Sequence, residues 1–266
     1  MIDRGKMNLL GILISAVDYE AAVDLIMAAA RKGQGFAVSA LAVHGVMTGV
    51  FDPQHRYRLN GLDLVTPDGQ PVRWAINLLR QAGLADRVYG PTLTLKVMEA
   101  CGRERTPIYL YGTTEATLAA LRKALAAKVP GLQIAGCEPS RFRPLSAEER
   151  DEVARRIRAS GARITFVGIG CPRQEIWAYE FRDLLSMPVL AVGAAFPFIA
   201  GSLPHAPSWM QSRGLEWLFR LAAEPNRLWK RYVFLNPLYL VMVGLQFCGK
   251  QFSHQGVAPN PGPIPG

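Results

Sequence analysis

The chain has little of what most metal and cofactor chemistry requires. Its four cysteines, Cys101, Cys137, Cys171 and Cys248, lie far apart, and none stands near a histidine at zinc-ligand spacing. That excludes a zinc knuckle and a disulfide framework and reads as reduced thiols in a cytosolic protein. The four histidines, His44, His55, His205 and His254, form no cluster, so neither a Ser–His nucleophilic pair nor a metal centre is expected. There is no Walker loop and no G-x-G-x-x-G; the second absence weighs against a nucleotide-binding oxidoreductase. No two aspartates are separated by a single residue. Long lipid-spanning runs are missing too. The uncharged stretch Leu184–Pro204 is broken by Pro188, Gly193, Pro197 and Gly201, and each break frees backbone groups that lipid cannot satisfy. It predicts a buried strand followed by an apolar loop. Pro237–Phe247 has about half of the roughly 20 residues a spanning helix needs, leaving it to lie on a membrane or to pack within the protein.

What the chain does have is positive charge. Among 266 residues, 30 Lys and Arg face 21 Asp and Glu, for a net +9. An anionic partner follows, whether nucleic acid, acidic lipid or a phosphorylated substrate. Half of the residues are hydrophobic and 19% are charged, which excludes disorder over most of the length. The length suits one large domain or two small ones. At the start, Arg4 and Lys6 followed by Leu9–Val17 imitate a secretory signal. The apolar run is short, however, and Asp18, Glu20 and Asp24 follow at once, so a first strand entering a helix is expected.

From there to about residue 193, short apolar runs alternate with helix-period segments, the pattern of a mostly parallel sheet covered by helices. The predicted strands are Leu9–Ser15, Phe36–Leu41, Leu62–Thr66, Pro107–Tyr111, Leu132–Cys137, Arg163–Gly168 and Val189–Val192. The clearest helix runs from Thr114 to Lys128, with Leu118, Leu121, Leu125 and Val129 on one face. Another begins at Ser146, with Glu148 and Glu149 at the positive end of its dipole. After Gly201 the composition changes: Trp209, Trp217, Phe219, Trp229, Tyr232, Phe234 and Tyr239 interleave with Arg213, Arg220, Arg227, Lys230 and Arg231. Pro225 interrupts the heptad spacing of the arginines, so two amphipathic basic helices are expected there. The expected units are 1–201, a helical appendage over 202–250, and a disordered tail over 251–266 whose last residues are rich in Pro and Gly.

Two turns could carry chemistry. Thr66-Pro67-Asp68-Gly69 follows a predicted strand, and a carboxylate at that sheet edge is placed to act as a general base; it is equally an Asp-Gly turn with a capping side chain. Gly168-Ile169-Gly170-Cys171-Pro172-Arg173-Gln174-Glu175 joins a strand to a helix, where free N–H groups form an anion site and Gln174 or Arg173 could touch a nucleotide or sugar. A tight turn accounts for it as well. Tyr111-Gly112-Thr113-Thr114 reads as a plain N-cap. Transfer from a nucleotide diphosphate needs leaving-group charge stabilised by a carboxylate-held metal or by Arg and Lys, and the basic segment after Gly201 could supply the latter. A basic nucleic-acid-binding protein without catalysis remains a rival class, supported by that segment alone.

Together, LDLVTPDGQPVRW (62–74), DRVYGPTL (86–93), FVGIGCPRQEIW (166–177), VGAAFPFIAGSLPHAP (192–207) and LEWLFRLAAEPNRLWKRY (215–232) resemble the WecG/TagA/CpsF family of bacterial glycosyltransferases. The order and spacing of these segments, over roughly residues 9–240, make the resemblance specific. It implies a Rossmann-like sheet with a C-terminal appendage, and an inverting, metal-independent transfer of a sugar, N-acetylmannosamine-like or another hexose or uronic acid. The implied donor is a UDP-sugar and the implied acceptor a polyprenyl-diphosphate-linked saccharide of cell-surface or exopolysaccharide synthesis. It also implies a protein peripheral to the cytoplasmic face of the plasma membrane, without a cofactor and without a nucleic-acid partner, and it leaves the oligomeric state open. Asp68 falls on the family's base. Arg87 and Gln174 look like donor or acceptor contacts, and Arg220, Arg227 and Lys230 or Arg231 match the residues that hold the diphosphate. Where the family commonly has Thr-x-Asn, this chain reads Ser39-Ala40-Leu41; Ser39 keeps the hydroxyl and stays a candidate catalytic residue beside Asp68, and the missing amide leaves the donor sugar unassigned.

Overall fold

The computed structural model describes every residue except Pro261, with the side chains of Ser208, Arg227, Lys230 and Arg231 also outside the description. The chain opens with an antiparallel hairpin, β1 (Asp3–Leu9) and β2 (Ile12–Val17). The single strand expected over Leu9–Ser15 is therefore two strands. Leu10 and Gly11 both have positive φ, 54° and 89°, as a two-residue hairpin turn matched to strand twist demands. Leu10 is buried to 1% exposure, so the apolar run passes through the turn and conceals it. A Cβ on Gly11 would sit 2.5 Å from the Ser253 carbonyl oxygen, which restricts the position to glycine.

The helix α1 (Tyr19–Lys32) leads into β3 (Phe36–Leu41), then α2 (Val43–Phe51), α3 (Pro53–Gly61), β4 (Leu64–Pro67), α4 (Gln70–Arg80) and α5 (Gly90–Glu104). Next come β5 (Ile108–Gly112), α6 (Glu115–Lys128), β6 (Ile134–Glu138), β7 (Pro144–Leu145), α7 (Ala147–Ala159), β8 (Ile164–Gly168), α8 (Arg173–Leu185), β9 (Pro188–Ala191) and the short α9 (Ala195–Ile199). Six of these strands form one parallel sheet in the order β4-β3-β9-β8-β5-β6. The Rossmann-like expectation is met. Strand residues alternate between two cores: Tyr109, Tyr111, Val167, Val189 and Ala191 pack under α4, α7 and α8, while Ile108, Leu110, Phe166 and Leu190 pack under α1, α5 and α6. Both faces of the sheet are thus buried, which is why its strands read as continuous apolar runs. Helix starts follow the caps: Thr114 accepts from the Thr117 amide, and Ser146 and Glu149 form a reciprocal capping box.

Beyond β9 the expected apolar loop is partly helical, since α9 buries Phe196, Phe198 and Ile199. Then follow α10 (Ser208–Ser212), α11 (Glu216–Ala223), α12 (Pro225–Lys230), a π-helical segment (Arg231–Leu235) and α13 (Asn236–Phe247). Pro225 starts α12, as expected. Of the two fates open to Pro237–Phe247, packing claims one face: Tyr239 and Val243 are buried against α2 and α4, while Leu240, Val241 and Phe247 stay exposed. No helix among the described residues is long and apolar enough to cross a membrane. The segment expected as a disordered tail is instead tied down. Asn8 and Asn60 donate to the carbonyls of Phe252 and His254, both at 2.8 Å, and β10 (Ile264–Pro265) pairs with β7. These partners lie far away in sequence, so local composition could not signal them.

Candidate active site

Helix α2 leaves β3 toward one face of the sheet and α9 leaves β9 toward the other. A crevice opens where adjacent strands send the chain to opposite faces, and here a cleft of about 330 Å³ lies at the ends of β3, β4, β8 and β9. Its walls include Ala42, Asp68, Gly90, Gly170, Gln174, Gly193 and Arg220. Asp68 is held rigidly. Its amide donates to the Leu41 carbonyl at 3.1 Å, Gly69 turns the chain at φ 87° into α4, and the Gly90 amide at the start of α5 donates to its carboxylate. Burial pushes the Asp68 carboxyl up to about 7. Arg87 and Arg220 pull against that shift, and Glu216 adds to it. A carboxyl poised near neutral pH has the proton affinity a general base needs.

A second, smaller cavity of about 100 Å³ lies against the first, between the start of α4 and the helices after Gly201. Ala42, Asp68, Tyr89 and Arg220 line both cavities, so Asp68 faces two chambers. Arg87 stands in the smaller one, but its guanidinium is paired with Glu216 of α11 at 2.6 Å and lies 4.3 Å over the Tyr89 ring. Both side chains of the pair are largely buried. Arg87 is therefore a tether for the C-terminal helices as well as a cavity wall. Arg220, one turn further along α11, reaches the junction of the cavities with its guanidinium 5.8 Å from the Phe198 ring.

The other predicted residues divide. Gln174 lines the cleft, yet its side chain already bonds protein: Oε1 accepts from the Gly170 amide at 3.2 Å, and Nε2 donates to Glu175 at 2.9 Å. That occupies one of the amides expected to form an anion site. Ser39 is fully buried behind the cleft wall, and its hydroxyl donates to the same Glu175 oxygen at 3.0 Å. Ser39, expected as a catalytic residue, stands behind the cleft wall rather than at its surface. Arg227, Lys230 and Arg231 lie on α12 and the π-helical segment, with side chains outside the described residues. Thr114 is the plain N-cap expected.

Glu175 is the residue that sequence reasoning passed over. It lines the cleft at 1% exposure, its Oε2 has no hydrogen-bond partner, and burial raises its carboxyl above the usual range. The available signal was an acidic residue in the first turn of a helix that buries Trp177 and Phe181. Among the described residues, no three His, Cys, Asp or Glu side chains converge as a metal-ligand group. The charged groups that bear on Asp68 are Arg87, Glu216 and Arg220. A family model described as glycosyl transferase WecG/TagA/CpsF matches residues 7–252, from the hairpin through α13.

Proposed function

The chain belongs to the WecG/TagA/CpsF family of glycosyltransferases, which acts in cell-surface polysaccharide synthesis, and on that premise we propose that Asp68 is the general base of a single-displacement sugar transfer. The donor is a UDP-sugar and the acceptor a polyprenyl-diphosphate-linked saccharide. Asp68 takes the proton of the acceptor hydroxyl, the freed oxygen bonds to the anomeric carbon, and the bond from that carbon to the diphosphate breaks on the opposite face. One displacement inverts the anomeric centre. The departing UDP carries the electron pair, and Arg220, with Arg227, Lys230 and Arg231, neutralises it without a metal.

The observation that carries this reading is the position of Asp68, a carboxyl raised to about 7 on the wall shared by two cavities. Two substrates can then meet at one base. Arg220 beside it is the cation this chemistry needs where no aspartate pair is available to hold a metal. Gln174 belongs with the donor side, and Ser39 acts from behind it by fixing Glu175. Trp229, Phe234, Leu240, Val241 and Phe247 are exposed, and these apolar side chains beside basic helices support peripheral attachment to the cytoplasmic face of an anionic membrane. The test is UDP release across a panel of UDP-sugars with a short-prenyl diphosphate saccharide as acceptor. Wild type is expected to release UDP with one donor of the panel, and Asp68→Asn to lose that release. No release with any donor would sink the assignment.

A further inference from the structure

We propose that the smaller cavity is the subsite for the acceptor's saccharide, with Trp217 as the platform for its ring and Gln70 as the group that accepts one of its hydroxyls. The subsite rests on the transferase reading above and deepens it. Four observations support the assignment.

The first is position. In a single displacement the nucleophile approaches from the side opposite the leaving group, so donor and acceptor must reach one base from different chambers. The two cavities share Ala42, Asp68, Tyr89 and Arg220 and otherwise have different walls. The larger is lined by backbone at the strand ends, through Gly168, Gly170 and Gly193, which admits a nucleotide diphosphate close to main-chain amides.

The second is charge. Inside the smaller cavity, Arg87 is already neutralised by Glu216 at 2.6 Å. What remains is a polar chamber with nearly balanced charge, suited to a hydroxylated neutral ring more than to a diphosphate. The third is the aromatic rim. Trp217 is 36% exposed there, and the Tyr232 ring lies 5.8 Å from it at 56°. Flat, partly wet aromatic faces are the surfaces on which the C–H side of a sugar packs.

The fourth is an orphan acceptor. Gln70 lines the cavity at 5% exposure, with Nε2 donating to Asp86 at 3.0 Å while Oε1 has no partner. A buried acceptor without a donor destabilises the free protein, and a ligand hydroxyl would relieve that. The cavity is also lined by Tyr232 of the π-helical segment and by Asn236 at the start of α13. The apolar outward face of that helix then offers a course for the prenyl chain.

Calorimetric titration of the full chain decides the matter. UDP and a short-prenyl diphosphate N-acetylglucosamine are each titrated into wild type, Trp217→Ala, Trp217→Phe and Gln70→Leu, alone and in the presence of the other. Wild type is expected to bind both ligands together. Trp217→Ala and Gln70→Leu should weaken the saccharide probe about 5- to 10-fold and leave UDP within about twofold, while Trp217→Phe keeps most of the affinity. Competition between probe and UDP for one site, absence of probe binding to wild type, unchanged probe affinity in both variants, or a parallel loss of UDP affinity would each overturn the subsite. Wild-type turnover by Asp68→Asn would sink the base assignment instead and leave these affinities as they are.

Discussion

The α/β sheet and the helices after Gly201 are built by opposite means. The sheet buries both of its faces in continuous cores, down to the stacked pair Trp177 and Phe181, whose ring centroids are 3.8 Å apart. By contrast, α11 fully buries no residue, and the helices after it fully bury, among the described residues, Leu228, Tyr239 and Val243. The later helices are fastened by polar links: Arg87 to Glu216, the Tyr239 hydroxyl to the Pro71 carbonyl at 3.1 Å, and Gln246 to the backbone of Asn8 and Leu10. Apolar burial is the dominant stabilising effect in folding, so the sheet provides a rigid frame for Asp68, and the C-terminal helices complete the site on a weaker hinge of polar contacts. Their apolar side chains are left available for another surface.

The largest effect is expected from removing the proposed base, which stands on the sheet. Asp68→Asn is expected to lower turnover about 10²- to 10⁴-fold with the fold intact; near-normal turnover would move the chemistry away from the sheet edge. The wild-type kcat/KM should fall as pH drops below about 7, the value to which burial raises Asp68, because the base must be ionised in the free enzyme. Stability runs the other way. With the folded pKa above the unfolded one, the native state holds the extra proton between about pH 4 and 7, and its contribution is lost as pH rises through 7. Asp68→Asn should therefore melt higher than wild type at pH 8, and the gap should close toward pH 4. An acid limb near pH 4 in the rate profile would show that burial does not set this carboxyl.

The next effect lies at the hinge. Glu216→Gln leaves a largely buried guanidinium without its counter-charge, a change that costs about 3–5 kcal/mol for buried pairs. Limited proteolysis should then cut after Gly201 faster than in wild type while the sheet domain persists. Equal cleavage rates would mean that burial, not the ion pair, docks these helices. The smallest effect concerns the exposed face. Replacing Leu240, Val241 and Phe247 together by serine should weaken binding to vesicles containing anionic lipid and leave UDP affinity unchanged, as measured by flotation and calorimetry. Undiminished vesicle binding would remove that face from the membrane contact.

Much of this organisation was legible from residue order. Short apolar runs located the six parallel strands, period-3.6 patterning located the helix from Thr114, and Pro225 marked the break between α11 and α12, because these are consequences of local geometry and of which faces must be dry. Asp68 could be picked out as a residue at a strand end, since Thr66-Pro67-Asp68-Gly69 is a local signal. Leu10, by contrast, hid a hairpin turn inside an apolar run, and the 251–266 segment looked like free chain because its partners, Asn8, Asn60 and β7, are distant in sequence. Residue order sufficed for the layered α/β core and for the carboxylate at its edge. Folding brought Glu216 onto Arg87, set Ser39 behind the cleft on Glu175, and turned Asp68 toward two cavities. Each of these depends on distances between segments that share no local pattern, and on the burial that turns a neighbour into an ion pair or a raised pKa.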